Sequence, residues 1–164
     1  MDLSVILDLS GLTNFMRVVF RTDASLQTGT GHVMRCSTMA DTLREQGAEC
    51  HFVCREHEGH LMDHMRFSGY KIHALPKPNE NASFETELAH ASWLGVDWSI
   101  DAQETQLCLG DIKVDWLIVD HYALDSKWEK TLRPYVKNIM VIDDIANRKH
   151  DCDVLLDHNW FENK

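Results

Sequence analysis

The chain has no Lys/Arg-rich run, and basic residues are in deficit: Lys and Arg number 16 against 26 Asp and Glu, a formal charge of −10. A protein that grips a phosphate backbone needs a basic patch, so nucleic acid is disfavoured as a partner. No apolar run reaches the roughly 18–20 residues that span a bilayer, and no membrane partner is expected. A secretory signal is also lacking. Met1–Phe15 is mildly apolar, but it has neither a cationic start nor a small-residue cleavage site, and Asp2 and Asp8 interrupt it. We expect residues 1–15 to be an extension ahead of the fold. Met16 is a candidate natural start, because a strand pattern begins there. The cysteines are Cys36, Cys50, Cys54, Cys108 and Cys152. An odd number without an export signal disfavours a disulfide scaffold, so reduced thiols and a cytoplasmic setting are expected. A Gly-x-Ser-x-Gly elbow and a P-loop are both missing, which leaves a serine hydrolase and a P-loop nucleotidase without support.

What is present is ordinary globular composition: 164 residues, 44% hydrophobic and 26% charged, enough for one domain with one core. Met16–Arg21 reads as a buried strand and Thr22–Thr30 as a polar loop. Gly31–Gln46 reads as a helix, with Val33, Cys36, Met39, Ala40 and Leu43 on one face. Gly47 then stops it. Further strands are expected at Cys50–Cys54, Tyr70–Leu75 (an edge), Asp115–Asp120, Asn138–Asp143 and Asp153–Leu156. Further helices are expected at Gly59–Ser68, Ser83–Leu94, Asp101–Leu109 and Ser126–Leu132, with Ser83 or Asp101 as caps. Pro76–Ala82 reads as a surface linker. Alternating strands and helices predict an α/β fold: a Rossmann-like open parallel sheet with helices on both faces.

In such a sheet, ligands bind beyond the carboxyl ends of the strands. Polar groups recur there: Thr22 and Asp23, then Asp120, His121 and Tyr122, then Asp143 and Asp144, then Asp157 and His158. Short polar residues also simply terminate strands, so a single Asp decides little. The turn Gly29-Thr30-Gly31-His32 is the sharpest feature. It joins a strand to a helix, so backbone amides and the positive helix end should face the cleft. It is not the full dinucleotide fingerprint, which would have a glycine at Met34 and an acid where Arg55 stands. An NAD-type site is therefore disfavoured. At the helix start the positive potential favours a neutral His32 ring, which can act as a general base on water. A surface or capping histidine is the plainer alternative.

His57, His60 and His64 follow Cys50 and Cys54, and a helix would set His60 and His64 on one face. The two cysteines sit roughly 13 Å apart along a strand, too far to share one ion easily. Solvated helix-face histidines are the default, and no metal is expected. The five tryptophans are candidate sugar platforms, but large aromatics bury well, and Trp116 and Trp128 read as structural.

Several stretches together carry a family resemblance. RTDASLQTGTGHVMRC, then HFVCRE, DWLIVDHYALDSKWE and VIDDIANRKHDCDVLLDHN, in this order, resemble the PseG family of nucleotide-sugar hydrolases. The resemblance runs from Met16 to about Asn159. It implies metal-free, cofactor-free hydrolysis of a UDP-linked 2,4-diacetamido-2,4,6-trideoxy-β-L-altropyranose, in pseudaminic acid biosynthesis. Water would attack the anomeric carbon, the C–O bond to UDP would break, and the configuration would invert. The implied catalytic residues are His32, as base, and Tyr122. The resemblance also maps the family's glycines to Gly29 and Gly31, its loop acid to Asp23 and its Asp-His-Tyr stretch to Asp120, His121 and Tyr122. With Thr30, Arg35 and Asp144 these are the candidate substrate-binding residues, the orienting roles of Asp23 and Asp144 being our own inference.

The resemblance further implies a two-domain glycosyltransferase-B architecture, of which residues 16–164 would be the Rossmann-like N-terminal domain. The C-terminal half, expected to hold most of the uridine diphosphate, would then lie outside this sequence. A base without a positioned substrate loses a proximity effect of about 7–11 kcal/mol, so the chain alone is expected to turn over little or nothing. An apolar interdomain face would be exposed, with self-association as a consequence. Two other readings share the fold: a non-catalytic carbohydrate-binding or interaction module, and half of a glycosyltransferase.

Overall fold

The computed structural model describes residues 16–78, 88–157 and 159. Residues 1–15, most of the expected linker and the start of the expected Ser83 helix lie outside the described residues. Six strands form one all-parallel sheet: β1 (Arg17–Thr22), β2 (Glu49–Arg55), β3 (Lys71–Leu75), β4 (Val114–Asp120), β5 (Val136–Ile142) and β6 (Val154–Leu156). The spatial order is β3-β2-β1-β4-β5-β6. This is the Rossmann-like α/β sheet expected from the alternation of apolar runs, with β3 on an edge.

Alternation along each strand builds two cores. Val18, Phe20, Phe52, Trp116, Ile118 and Met140 point to one face. There they meet helices α1 (Gly31–Glu45) and α2 (Met62–Phe67) through Val33, Cys36, Leu43, Met62 and Met65. Phe20 and Phe52 stack at 4.8 Å in the centre of this layer. Val19, Val53, Leu117, Val119, Ile139 and Val141 point the other way. They pack on α3 (Trp98–Leu109) and α4 (Ser126–Leu132) through Ala102, Leu109, Trp128 and Leu132. Burying each such large side chain stabilises the fold by about 1.5–3 kcal/mol. Helices therefore cover both faces, and the sheet's polar ends collect at one edge.

Three local expectations are corrected. The cap of α3 is Asp97, whose carboxylate accepts from the Ser99 amide at 2.8 Å. Asp101 instead lies one turn inside the helix and is fully buried. His60 lies ahead of α2, with Nδ1 accepting from the Met62 amide at 3.3 Å, so it shares no helix face with His64. Ala91–Leu94 is a short 3-10 turn, ended by Gly95 in the left-handed region (φ 74°).

The strand order reverses between β1 and β4, which pair directly. Thr22 is opposite Asp120 in the register, so the loops after both strands open onto one crevice. No described helix is long and apolar enough to cross a membrane.

Candidate functional site

The loop after β1 delivers His32. Gly29 holds φ +71°, a conformation that glycine adopts without strain, and its amide closes back on the Ser25 carbonyl at 2.9 Å. Thr30 caps α1 by position, but its side chain makes no capping hydrogen bond. Gly29, Thr30 and Gly31 are exposed, and a Cβ at either glycine would meet nothing within 4 Å. The start of α1 thus faces open space, with His32 buried just behind it.

Asp120, at the end of β4, is fully buried and gathers the site. The Nδ1–H of His32 donates to its Oδ1 at 2.7 Å. Arg35, one turn further along α1, donates from Nε to Oδ2 and from Nη2 to Oδ1, both at 2.5 Å. Burial alone would raise the Asp120 carboxyl, but the hydrogen bonds from Arg35 and His32 outweigh it and hold it below the ordinary carboxylate range. An ionised Asp120 fixes the His32 tautomer with the proton on Nδ1, which leaves Nε2 as an acceptor. This is the orienting half of a carboxylate–imidazole–nucleophile arrangement.

Arg35 also reaches Asp144 from Nη1 at 3.2 Å, and the Tyr122 hydroxyl donates to Asp144 Oδ1 at 2.5 Å. Burial and then the Asp144 carboxylate push the Tyr122 phenol up to about 12, so it is a hydrogen-bond donor at neutral pH. The Tyr122 ring meets His32 edge-on at 4.5 Å. His90 and Trp93 flank the same ring at 5.5 and 5.9 Å, and the Arg148 guanidinium lies over it at 5.7 Å. His32, Arg35, Asp120, Tyr122 and Asp144 are therefore brought together, beside the Gly29–Gly31 turn.

Asp23 and His121 fall elsewhere. Residues 120 and 121 point to opposite sides of the sheet, and His121 faces a second buried network. Its Nδ1 accepts from the Ala123 amide at 3.1 Å, and its Nε2 lies 3.3 Å from Asp23 Oδ2. Burial pushes the His121 ring down, toward its neutral form. Arg21 pairs bidentately with Asp23 (2.7 and 2.9 Å) and with Asp101 (2.6 and 3.1 Å). Arg55 joins Asp101 at 2.8 Å and Glu104 at 2.6 Å, and its amide donates to Asp23 at 2.7 Å. Trp128 Nε1 donates to Asp101 at 3.0 Å. Asp23 thus anchors the start of the loop after β1 to the ends of β1 and β2.

Sequence reasoning missed this network and the His90–Trp93 wall. Arginines at the apolar ends of two strands, Arg21 and Arg55, are a signal for the first. The wall has no local signal, because a short 3-10 turn brings it to Tyr122 from across the sheet edge. Burial raises the thiols of Cys36, Cys50 and Cys54, with Cys50 near about 12, so none is a ready nucleophile.

No protein-family model matches the chain. Over 148 residues the chain is 27% identical to the UDP-2,4-diacetamido-2,4,6-trideoxy-beta-L-altropyranose hydrolase of Campylobacter jejuni. The match covers 89% of this chain and 43% of that protein, so the chain spans about two fifths of its relative's length. The stretch contains the whole site described above.

Proposed function

We propose that this chain is the N-terminal, base-carrying half of a UDP-sugar hydrolase. The single observation that carries the reading is the His32–Asp120 pair at 2.7 Å, at the sheet's switch point, with Arg35 locking the carboxylate. The sugar class, a UDP-linked diacetamido-trideoxy hexose, comes from the relative's name and from the motif resemblance.

In this reading His32 Nε2 takes a proton from water while Nδ1 keeps its own proton, hydrogen-bonded to Asp120. The water oxygen bonds to the anomeric carbon. The C–O bond to UDP breaks, its electron pair leaves with the β-phosphate oxygen, and the configuration inverts. The imidazolium then returns its proton to solvent or product. Asp120 stabilises the imidazolium without itself taking the proton, an effect of the kind that contributes about 10²–10⁴-fold. Tyr122 and Asp144 position the sugar, and the Gly29–Gly31 turn gives it close backbone approach. Asp23 and His121 act from behind, by holding the loop. A second Rossmann-like half is proposed to hold the uridine diphosphate. Leu26 and Met34, exposed beside the glycine turn at 75% and 48%, are proposed to lie on the face toward it and to support self-association otherwise. The odd number of cysteines, all free, is in keeping with a reduced, cytoplasmic setting in this reading.

The test is hydrolysis in ¹⁸O-water by a chain that carries a complete UDP site. Label in the free sugar, none in UDP, and initial release of the inverted anomer support the reading. Label in UDP, or transfer of the sugar to an added acceptor in place of water, would overturn it.

A further inference from the structure

The rings beside the base differ from the aromatic residues of the core. Phe20, Phe52 and Trp128 have no exposed surface at all. His90, Trp93 and Tyr122 pack on one another and yet each keeps part of its surface open. His90 and Trp93 meet at 4.6 Å in an edge-to-face contact, and Trp93 and Tyr122 are tilted by only 36°. Together the three make a bent apolar wall whose Tyr122 end touches His32. One polar atom in this wall is unexplained: His90 Nδ1 is buried and has no hydrogen-bond partner among the described residues. A buried polar atom left without a partner is costly, and sites shaped to hydrogen-bond a ligand are where such atoms persist.

We propose that His90, Trp93 and Tyr122 form a recognition site for an acetamido group of the sugar, a proposal that takes its ligand from the hydrolase reading. An acetamido group has two parts that suit this wall. Its methyl is apolar and packs on the Trp93 and Tyr122 faces. Its planar amide offers both an N–H and a carbonyl, either of which pairs with His90 Nδ1 according to the ring's tautomer. A hydroxyl or a free amine at the same sugar carbon has no methyl to pack on the Trp93 and Tyr122 faces, and the Asp144 carboxylate beside Tyr122 is already held by the Tyr122 hydroxyl and by Arg35. A site that hydrogen-bonds one substituent rejects the analogue lacking it, because its own polar atom stays unpaired. His90 and Trp93 are specificity residues here, and no step of the hydrolysis passes through them.

The experiment uses this chain labelled with 5-fluorotryptophan, with the Trp93 signal assigned through Trp93→Phe. Glucose, glucosamine, N-acetylglucosamine and the free diacetamido-trideoxy sugar are titrated in turn, and ¹⁹F shifts are read. The Trp93 resonance is expected to shift saturably with the two N-acetylated sugars and not with glucose or glucosamine. His90→Ala should weaken that binding about tenfold, with His90→Asn recovering part of the loss, and amide spectra check that each variant is folded. An equal response to glucose and N-acetylglucosamine, or no saturable response to either N-acetylated sugar, overturns the proposal. The readout needs no turnover. Failed hydrolysis with acetamido selectivity intact would remove the hydrolase reading alone, and hydrolysis without selectivity would remove this one alone.

Discussion

His32 and Asp120 are 88 positions apart in the chain, and their side chains meet at 2.7 Å. The contact exists because β1 and β4 are neighbours in register, so that the helix leaving one strand overhangs the end of the other. Asp120 is the residue at which the two loops become one site.

Replacing Asp120 by Asn keeps the shape and removes the charge. The amide can present a donor to Nδ1 and so favour the wrong His32 tautomer. In a chain with a complete UDP site, Asp120→Asn should lower kcat by about 10²–10⁴-fold with KM little changed. Steady-state kinetics check this, and ¹⁵N shifts of the His32 ring report the tautomer. An unchanged kcat would show that Asp120 does not orient the base.

Tyr122 donates to Asp144, and its phenol is pushed up to about 12. It should stay a donor across the neutral range. Tyr122→Phe removes one hydrogen bond, worth about 1 kcal/mol or roughly fivefold, and should appear mainly in KM. A new loss of rate below pH 9 in wild type that Tyr122→Phe abolishes would point instead to a tyrosinate base.

The buried Arg21–Asp101–Arg55 cluster should be intolerant of half-removal. Asp101→Asn leaves two buried guanidinium groups short of a carboxylate that also accepts from Trp128. A loss of about 3–5 kcal/mol is expected from urea unfolding. A loss below about 1 kcal/mol would mean that Glu104, Asp23 or water takes over the charge.

His150 joins two buried carboxylates, with Nδ1 at 2.6 Å from Glu129 and Nε2 at 3.2 Å from Asp143. Its neighbours also include Arg148, on Asp143 at 3.0 Å, and Asp151, whose amide donates to Glu129. Burial opposes the charge on His150, but Glu129 outweighs it and raises the ring above its ordinary value of 6.5. A raised folded value means that this stabilisation is fully present below pH 6.5 and is lost as pH rises through the folded value. The Tm gap between wild type and His150→Gln should therefore be widest near pH 6 and narrow on the alkaline side. A gap that grows with pH would contradict the assignment.

Much of the fold was legible in the residues. β4 was legible from Trp116-Leu117-Ile118-Val119, a short apolar run rich in aromatic and β-branched residues between two aspartates, as a strand covered on both faces shows. The face of α1 was plain from the spacing of Val33, Cys36, Met39, Ala40 and Leu43. Helix starts were less so: a capping Asp97 and a buried Asp101 look alike in sequence, and only the packing of Trp128 separates them. In the site, the pairing of His32 with Asp120 depends on strand order, which spacing does not encode. Asp120 and His121 read together as one Asp-His-Tyr stretch, and only the structure separates them, Asp120 toward His32 and His121 toward Asp23. His90 and Trp93 were hidden because irregular chain places them.

The most direct test of the account is His32→Ala in a chain with a complete UDP site, assayed by ¹H NMR for release of free sugar. The account predicts a fall in kcat of at least about 100-fold, with KM for the UDP-sugar within a few-fold of wild type. Full activity in His32→Ala would contradict the assignment of His32 as the base.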